Sequence, residues 1–337
     1  MDFKLALGID MSKLTFDYAL IDHQGNILSQ GQSLNTQAHI LEWIDQMHEE
    51  FKGLWNKAIV CMEHSGYYGT PFLHTLYQSA KAIIWLESSL RIKRSAGFQR
   101  GKDDAIDALK IACYALDFQR NIQIWKRRKQ NLNRLELLIS QRDRLVKNLM
   151  SIRNPLKEEQ GFIDPLIHQE MNLITQPSID AMQKAIQEFD QHIETLLKED
   201  IQLARQHQII TSIPGFGQVI ASKLILATHG FTRFNSARKL SCYSGIAPFP
   251  HRSGTSIRGK TRVSHLANKQ IKKMLHLAAL VTIRKGNIMR QYYLRKVEEG
   301  KNKMSVINAV RNKLIHILIA CINNDTIYQK KYHHELA

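Results

Sequence analysis

The first 120 residues alternate short apolar runs with amphipathic stretches. Residues 3–10 form an apolar run that ends in the carboxylate of Asp10, residues 14–21 read as a second strand and residues 27–33 as a third. Between the last two, Asp22, His23, Gln24, Gly25 and Asn26 supply the Gly and Asn that accept positive φ, so the three strands form an antiparallel meander. Ile40, Leu41, Ile44 and Met47 recur at the helical period and predict a helix over 38–51. A strand over 57–62 runs into Glu63. A helix over 68–79, a strand over 81–86 and a helix over 105–116 follow, the last carrying Ile106, Leu109, Ile111 and Ala112.

Three antiparallel strands followed by alternating helices and strands is the order of a ribonuclease-H-like layer. Past residue 126 the period is helical. Leu132, Leu135, Leu138, Leu145 and Leu149 mark a charge-laced helix over 127–159, and Ile179, Met182, Ile186, Phe189, Ile193 and Leu197 mark another over 178–205. The two suit an antiparallel hairpin or an association between protomers. Pro155, Pro165 and Pro177 predict breaks. Ile213-Pro214-Gly215-Phe216-Gly217 joins two apolar helices in the form of a helix-hairpin-helix, whose turn amides hold a backbone phosphate; a plain tight turn has the same form. Helices over 271–283 and 306–322 close the chain. The expected architecture is α/β plus α, in four stretches: 1–125, a helical linker over 126–206, a mainly α basic domain over 207–330 and a tail over 331–337.

At 337 residues and 44% hydrophobic content the chain can build about two cores. No uninterrupted apolar run approaches the ~20 residues of a membrane span, and the first residues lead into a strand rather than a signal peptide. The expectation is a cytosolic protein with no membrane partner. Cys61, Cys113, Cys242 and Cys321 form no C-x-x-C pair, which argues against a disulfide framework or a structural zinc.

Charge changes the picture more. Basic side chains number 47 against 30 acidic ones, a formal charge of +17. Residues 1–120 hold 12 basic and 14 acidic side chains, residues 121–205 hold 13 and 12, and residues 206–337 hold 22 and only 4. Cations spread through apolar helical patterns imply a folded surface for a polyanion, nucleic acid first. Arg252, Arg258, Lys260, Arg262, Lys269, Lys272 and Lys273, with Gly215 and Gly217 of the turn, are the expected contacts.

Asp10 and Glu63 each end a strand, and Asp104 and Asp107 lie three apart at a helix start, where both share one face. Carboxylates gathered at a sheet edge repel unless a cation holds them, and Mg²⁺ suits a few carboxylates plus phosphate oxygens. Two such ions roughly 4 Å apart activate a nucleophile and stabilise the leaving oxygen of phosphoryl transfer. Asp103 competes for the third position. In the basic domain, Ser253 precedes a glycine and is followed by Arg258, Lys260 and Arg262, cations that lower the cost of an alkoxide attacking a phosphodiester. A Ser-Gly pair is also an ordinary turn. No H-E-x-x-H motif occurs, and His251 and His265 are weak acid–base candidates.

The motifs Gly8-Ile9-Asp10, Glu63-His64-Ser65-Gly66, Lys102-Asp103-Asp104-Ala105-Ile106-Asp107-Ala108, Ser212-Ile213-Pro214-Gly215-Phe216-Gly217 and Gly245-Ile246-Ala247-Pro248, then Ser253-Gly254, Arg258-Gly259 and Arg262, run in one order along nearly the whole chain. Together they resemble the DEDD transposases of insertion sequences, relatives of the Piv-type DNA invertases. The resemblance implies a RuvC-like N-terminal domain, a coiled-coil linker and a C-terminal transposase domain with a serine nucleophile. The acidic tetrad maps to Asp10, Glu63, Asp104 and Asp107, since the family's second Asp is followed by Ala as Asp107 is by Ala108. The serine maps to Ser253, after the Gly-Ile-Ala-Pro stretch, rather than to Ser244 before it. Also implied are Mg²⁺ or Mn²⁺, donor and target DNA, a guide RNA from the element's flank, and a dimer or tetramer. Acids and serine fall in different domains, so one protomer is expected to lend its serine to another. The same acids without the serine would make a RuvC-like junction endonuclease that uses water. Without chemistry at either site the chain would be a nucleic-acid-binding protein.

Overall fold

The computed structural model describes residues 3–95, 104–234, 236–253, 257–263, 267–284 and 288–329; for Asp104 and residues 250–253 and 257–262 it describes the backbone alone. The chain divides into two compact units, 1–127 and 128–337.

The first unit runs β1 (Leu5–Met11), β2 (Thr15–Asp22), β3 (Ile27–Leu34), α1 (Gln37–Glu50), α2 (Leu54–Lys57), β4 (Ala58–Glu63), α3 (Thr70–Ser79), β5 (Ile83–Glu87), α4 (Ser89–Ser95) and α5 (Asp104–Asp117). The five strands form one mixed sheet in the order β3-β2-β1-β4-β5. The meander is antiparallel as expected, while β4 and β5 lie parallel to β1 and to each other. Strand alternation sorts the apolar residues onto two faces. Leu7, Ile9, Phe16, Val60 and Met62 pack against Ile40 and Trp43 of α1 and Phe72 of α3. Ala6, Ile21, Ile59, Cys61 and Trp85 pack against Ile111, Ala112 and Ala115 of α5. Gly8 sets the height of α5 over the sheet: a Cβ there would lie 2.1 Å from the Ala108 carbonyl oxygen and 2.4 Å from the Ala112 nitrogen.

The second unit comprises α6 (Gln130–Glu158), α7 (Pro165–Glu199), α8 (Ile201–Ser212), α9 (Gln218–Thr228), α10 (Ala237–Tyr243), β6 (Pro248–Ser253), β7 (Ile257–Val263), α11 (Lys269–Arg284), α12 (Ile288–Glu298) and α13 (Lys303–Asn323). Among the described residues it is helical apart from the antiparallel β6–β7 hairpin. Leu132, Leu135 and Ile139 of α6 and Ile193, Leu196 and Leu197 of α7 share one core with Ile210, Leu224, Leu275 and Leu314. The two ends of the segment 128–206 are therefore built into the same core as the basic segment, while Leu149, Leu156 and Ile179 form a small core of their own.

Two expectations need correction. Pro155 and Pro177 do not break the chain but lie inside α6 and α7. An internal proline costs about 3 kcal/mol. Ile179, with Met182 and Ile186 beside it, packs against Leu149 and Leu156, and each fully buried side chain of this kind returns roughly 1.5–3 kcal/mol. Pro165 sits at the first turn of α7, where no amide proton is needed, and Asp164 caps it by accepting from the Leu166 N–H at 2.8 Å. The long predicted second helix instead stops at Asp200, whose carboxylate accepts from the Gln202 and Leu203 N–H groups and starts α8. Helix α13 has the length and mean apolarity to cross a bilayer, but Arg311 and Lys313 interrupt it, so it is not an unbroken apolar run. Its Val310, Leu314, Ile315 and Leu318 are buried in the core of the second unit.

Candidate active site

Strand register assembles the acidic edge. Asp10 pairs across the sheet with Asp17, and Asp17 with Gln32. On the other side, Asp10 and Glu63 each follow by one residue the paired Ile9 and Met62, and Glu63 pairs with Glu87. Paired residues share a face, so Asp17, Asp10, Glu63 and Glu87 form a row across four neighbouring strands on the face covered by α5. Two of the four, Asp17 and Glu87, were not anticipated. Asp17 is an acid inside a buried strand between Phe16 and Tyr18, and Glu87 ends its strand just as Asp10 and Glu63 end theirs; both patterns stand in the sequence.

The unanticipated acids have internal partners. Asp17, 7% exposed, accepts from the Gln32 amide at 3.2 and 3.1 Å. Glu87, 8% exposed, accepts from the Ser88 N–H at 2.7 Å, the Tyr114 hydroxyl at 3.1 Å and Arg91 at 3.3 Å. Burial and the adjoining Glu87 push the Tyr114 phenol up to about 12, and burial followed by Glu87 raises the Cys61 thiol, so both stay protonated near neutrality. Glu63 differs. It is half-buried, and among the described residues its carboxylate has no hydrogen-bond or ion-pair partner.

Helix α5 runs along β1 in the opposite direction, with the Phe3 N–H donating to Gln119 near its end at 2.9 Å and Gly8 beneath Ala108. Its first turn, with Asp104 and Asp107, is thereby directed towards the Asp10 end of β1. Asp107 is half-buried and bound to Lys110 at 2.7 Å. Asp103 and the Asp104 side chain lie outside the described residues. Among the described residues no three His, Cys, Asp or Glu side chains stand close enough to hold a metal ion. The structure thus brings Asp10 and Glu63 to one sheet edge and does not bring Asp107 into a ligand set with them. The donors are all carboxylate oxygens, and Glu63 is an unneutralised anion beside another acid, a set that fits a hard divalent cation.

In the second unit, the hairpin register places Arg252 directly opposite Arg258, Phe249 opposite Arg262, and Ser253 opposite Ile257. Lys260 lies on β7, and His265 and Gly254 lie outside the described residues. Lys269, Lys272 and Lys273 occupy the first turns of α11, the end of a helix that favours anions. The two turn glycines part company. Gly215, at φ +90°, is packed against α11, where a Cβ would lie 2.5 Å from the Ala278 carbonyl oxygen, whereas Gly217 caps α9 with open space around it. The Gly215 turn is thus also a packing joint, held by the Thr282 hydroxyl donating to the Pro214 carbonyl at 2.8 Å.

A family model described as "Transposase IS116/IS110/IS902 family" matches residues 207–294, and a transposase model of the IS110 DEDD type matches residues 7–158. The pilin gene-inverting proteins of Moraxella bovis and Moraxella lacunata are 25% and 24% identical to this chain over 343 residues, 98% of it and 99% of each relative. The 42 kDa protein of insertion element IS900 from Mycobacterium paratuberculosis is 31% identical over 136 residues, 40% of this chain and 34% of the relative. The first match spans the basic helical segment and the second the acidic sheet edge, and the chain accordingly belongs to the IS116/IS110/IS902 family of transposases, enzymes of DNA recombination.

Proposed function

We propose that this transposase cuts and rejoins the DNA of an insertion element through a covalent phosphoserine intermediate on Ser253. The observation that carries the reading is the placement of an unneutralised Glu63 and Asp10 at one sheet edge, each one residue past the paired Ile9 and Met62, in a chain whose other unit aligns Arg252 with Arg258 beside Ser253. Ser253 Oγ bonds to the phosphorus while the bond to the departing sugar oxygen breaks. The hydroxyl proton leaves Oγ, and the departing oxygen takes one up. A hydroxyl on another strand then reverses the step and frees the serine, without hydrolysis. The gene-inverting relatives, matched from end to end, support rejoining rather than simple cutting.

Asp10, Glu63, Asp104 and Asp107 would hold Mg²⁺ or Mn²⁺, which supplies Lewis-acid neutralisation of the phosphate charge. For Asp107 this requires release from Lys110. The sheet order and its acidic edge support a RuvC-like reading of 1–125. The segment 207–330 is read as the transposase domain, and its 22 cations against 4 acids over 206–337 suit donor DNA, target DNA and a guide RNA alike. Gly217 and the cations of the hairpin and α11 would grip phosphates. The segment 126–206 is read as a coiled-coil linker that forms a homo-oligomer. Leu166, Ile167, Leu173 and Ile174 of α7 and Phe162 before it are exposed apolar side chains far along that segment, which supports the assembly.

The test is a denaturing gel and peptide mass analysis with the element's own ends, its flank transcript and Mg²⁺, comparing the wild type with Ser253→Ala and Glu63→Gln. A DNA adduct on the Ser253 peptide that also requires Glu63 is expected. Cleavage that persists in Ser253→Ala with no adduct would make the protein a hydrolytic junction endonuclease.

A further inference from the structure

Immediately after Glu63 the chain turns into a single 3-10 turn, Gly66–Gly69, and sets two aromatic side chains on the surface. Tyr67 is 67% exposed and Tyr68 36%. Their ring centroids are 4.5 Å apart with the planes inclined at 53°, and their hydroxyls are 3.4 Å apart. Neither ring belongs to the core of the first unit. Yet the backbone beneath them is held firmly. The Asn35 amide donates to the Tyr68 carbonyl at 3.1 Å and to the Ser12 carbonyl at 3.2 Å, tying this turn to the loop two residues past Asp10. Gly69 closes against the other side of the turn, where a Cβ would lie 2.6 Å from the Ser65 hydroxyl. The ring pair is thus fixed, through its backbone, to both strands that carry Asp10 and Glu63.

We propose that Tyr67 and Tyr68 form a stacking platform for an unpaired base of the DNA strand at the acidic edge. This rests on the reading that DNA is cut at Asp10 and Glu63. Every nucleobase has a π-face, which a paired duplex hides and a melted strand exposes, and stacking on an aromatic side chain holds a base whatever the sequence. Strands about to be exchanged must unpair at the crossover, so a sequence-tolerant grip on a melted base belongs beside the scissile phosphate. A rigid mounting adds to the grip, because little freedom is lost on binding. The Tyr67 hydroxyl raises the neighbouring Tyr68 phenol above its ordinary value, which keeps that oxygen protonated and leaves the rings as the working part.

The experiment uses the full chain and two probes of one sequence, a fully paired duplex and the same duplex with a short run of unpaired thymidines, one replaced by 5-iodouracil. The wild type should prefer the unpaired probe. The double substitution Tyr67→Ala and Tyr68→Ala should lose about tenfold in affinity for it, the equivalent of ~1.4 kcal/mol, and leave duplex binding unchanged. Tyr67→Phe with Tyr68→Phe should bind as the wild type does, and illumination should attach the iodouracil to the peptide carrying Tyr67 and Tyr68. Unchanged preference in the double alanine chain, loss of preference in the double phenylalanine chain, or attachment elsewhere would each overturn the platform while leaving the acidic edge standing. Cleavage that survives Glu63→Gln would overturn the edge itself, and the platform's role in cutting with it.

Discussion

The two units carry their charge in opposite ways. In the first, 12 basic and 14 acidic side chains over residues 1–120 nearly balance, and the acids are placed one by one: Asp17 on Gln32, Glu87 on Tyr114 and Arg91, Asp107 on Lys110. In the second, 22 cations face 4 acids over residues 206–337, spread along the sequence rather than gathered in one run. On the function proposed above, the difference follows from what each unit would hold. A small divalent cation tolerates little error in ligand position, so strand register and the bare Cα of Gly8 would set it. A nucleic-acid backbone repeats its charge along its length, so density of cations would suffice and a neighbour could replace any one of them.

The sharpest way to break this comparison is Glu63→Gln, which keeps the shape and removes the charge. Strand cleavage should fall by about 10³-fold, roughly 4 kcal/mol of barrier, while DNA affinity stays within about twofold. Cleavage and binding are measured on the same labelled duplex. A parallel fall in binding would mean that the acidic edge holds the DNA rather than cuts it.

Two glycine substitutions sharpen the comparison further. Gly8→Ala sets a methyl against the Ala108 carbonyl and Ala112 nitrogen, and it must lift the first turns of α5 off β1. Overpacking of this kind costs about 1–3 kcal/mol and should abolish cleavage ahead of DNA binding, because it moves Asp104 and Asp107 away from Asp10. Gly215→Ala meets the Ala278 carbonyl and adds the strain of φ +90°, about 1 kcal/mol or more. It should loosen the α9–α11 joint and weaken DNA binding and cleavage together. Calorimetry of both variants checks the assignment: each should lower the unfolding of its own unit, and a shift in the other unit's transition would contradict it.

Much of the first unit was legible because its strands show alternation and its acids fall at strand ends. The meander and strands β4 and β5 lie within two residues of where the pattern put them. The row of four acids was not, since Asp17 joins Asp10 only through the β1–β2 register, a relation between strands that no single stretch encodes. In the second unit the long helices were visible, and α6 lies within three residues of its expected bounds, but the ends of α7 were not legible. Pro177 reads as a stop and is overridden by the burial of Ile179 against α6, a contact between distant residues. The β6–β7 hairpin escaped for a different reason: Arg258, Gly259, Lys260, Thr261 and Arg262 carry no alternation of apolar with polar side chains, so nothing local announces a strand. The exposure of Tyr67 and Tyr68 arises from the fold and no pattern in the sequence announces it.

The smallest expected effect concerns acid. His229 ends α9 in the left-handed region at φ +52°, and burial, reinforced by Arg128 and Arg233, lowers its imidazole from 6.5 to about 4. Burial also lowers His207 and His276 of the same unit, and His74 of the first. Between 6.5 and about 4 the unfolded chain binds a proton at His229 that the folded chain refuses, so the stability this residue contributes is whole above that window and is lost as pH falls through it. Because His229 remains half-exposed, solvent screening holds the loss to about 1 kcal/mol per pH unit or less, some 2–4 °C in the Tm of a unit this size. The second unit should therefore lose more than the first on going from about pH 7 to about pH 5. His229→Asn, which accepts the left-handed backbone and carries no titrating ring, should flatten part of that slope. Calorimetry at the two pH values reads the result, and an unchanged slope in the variant would place the acid sensitivity in His207 and His276 instead.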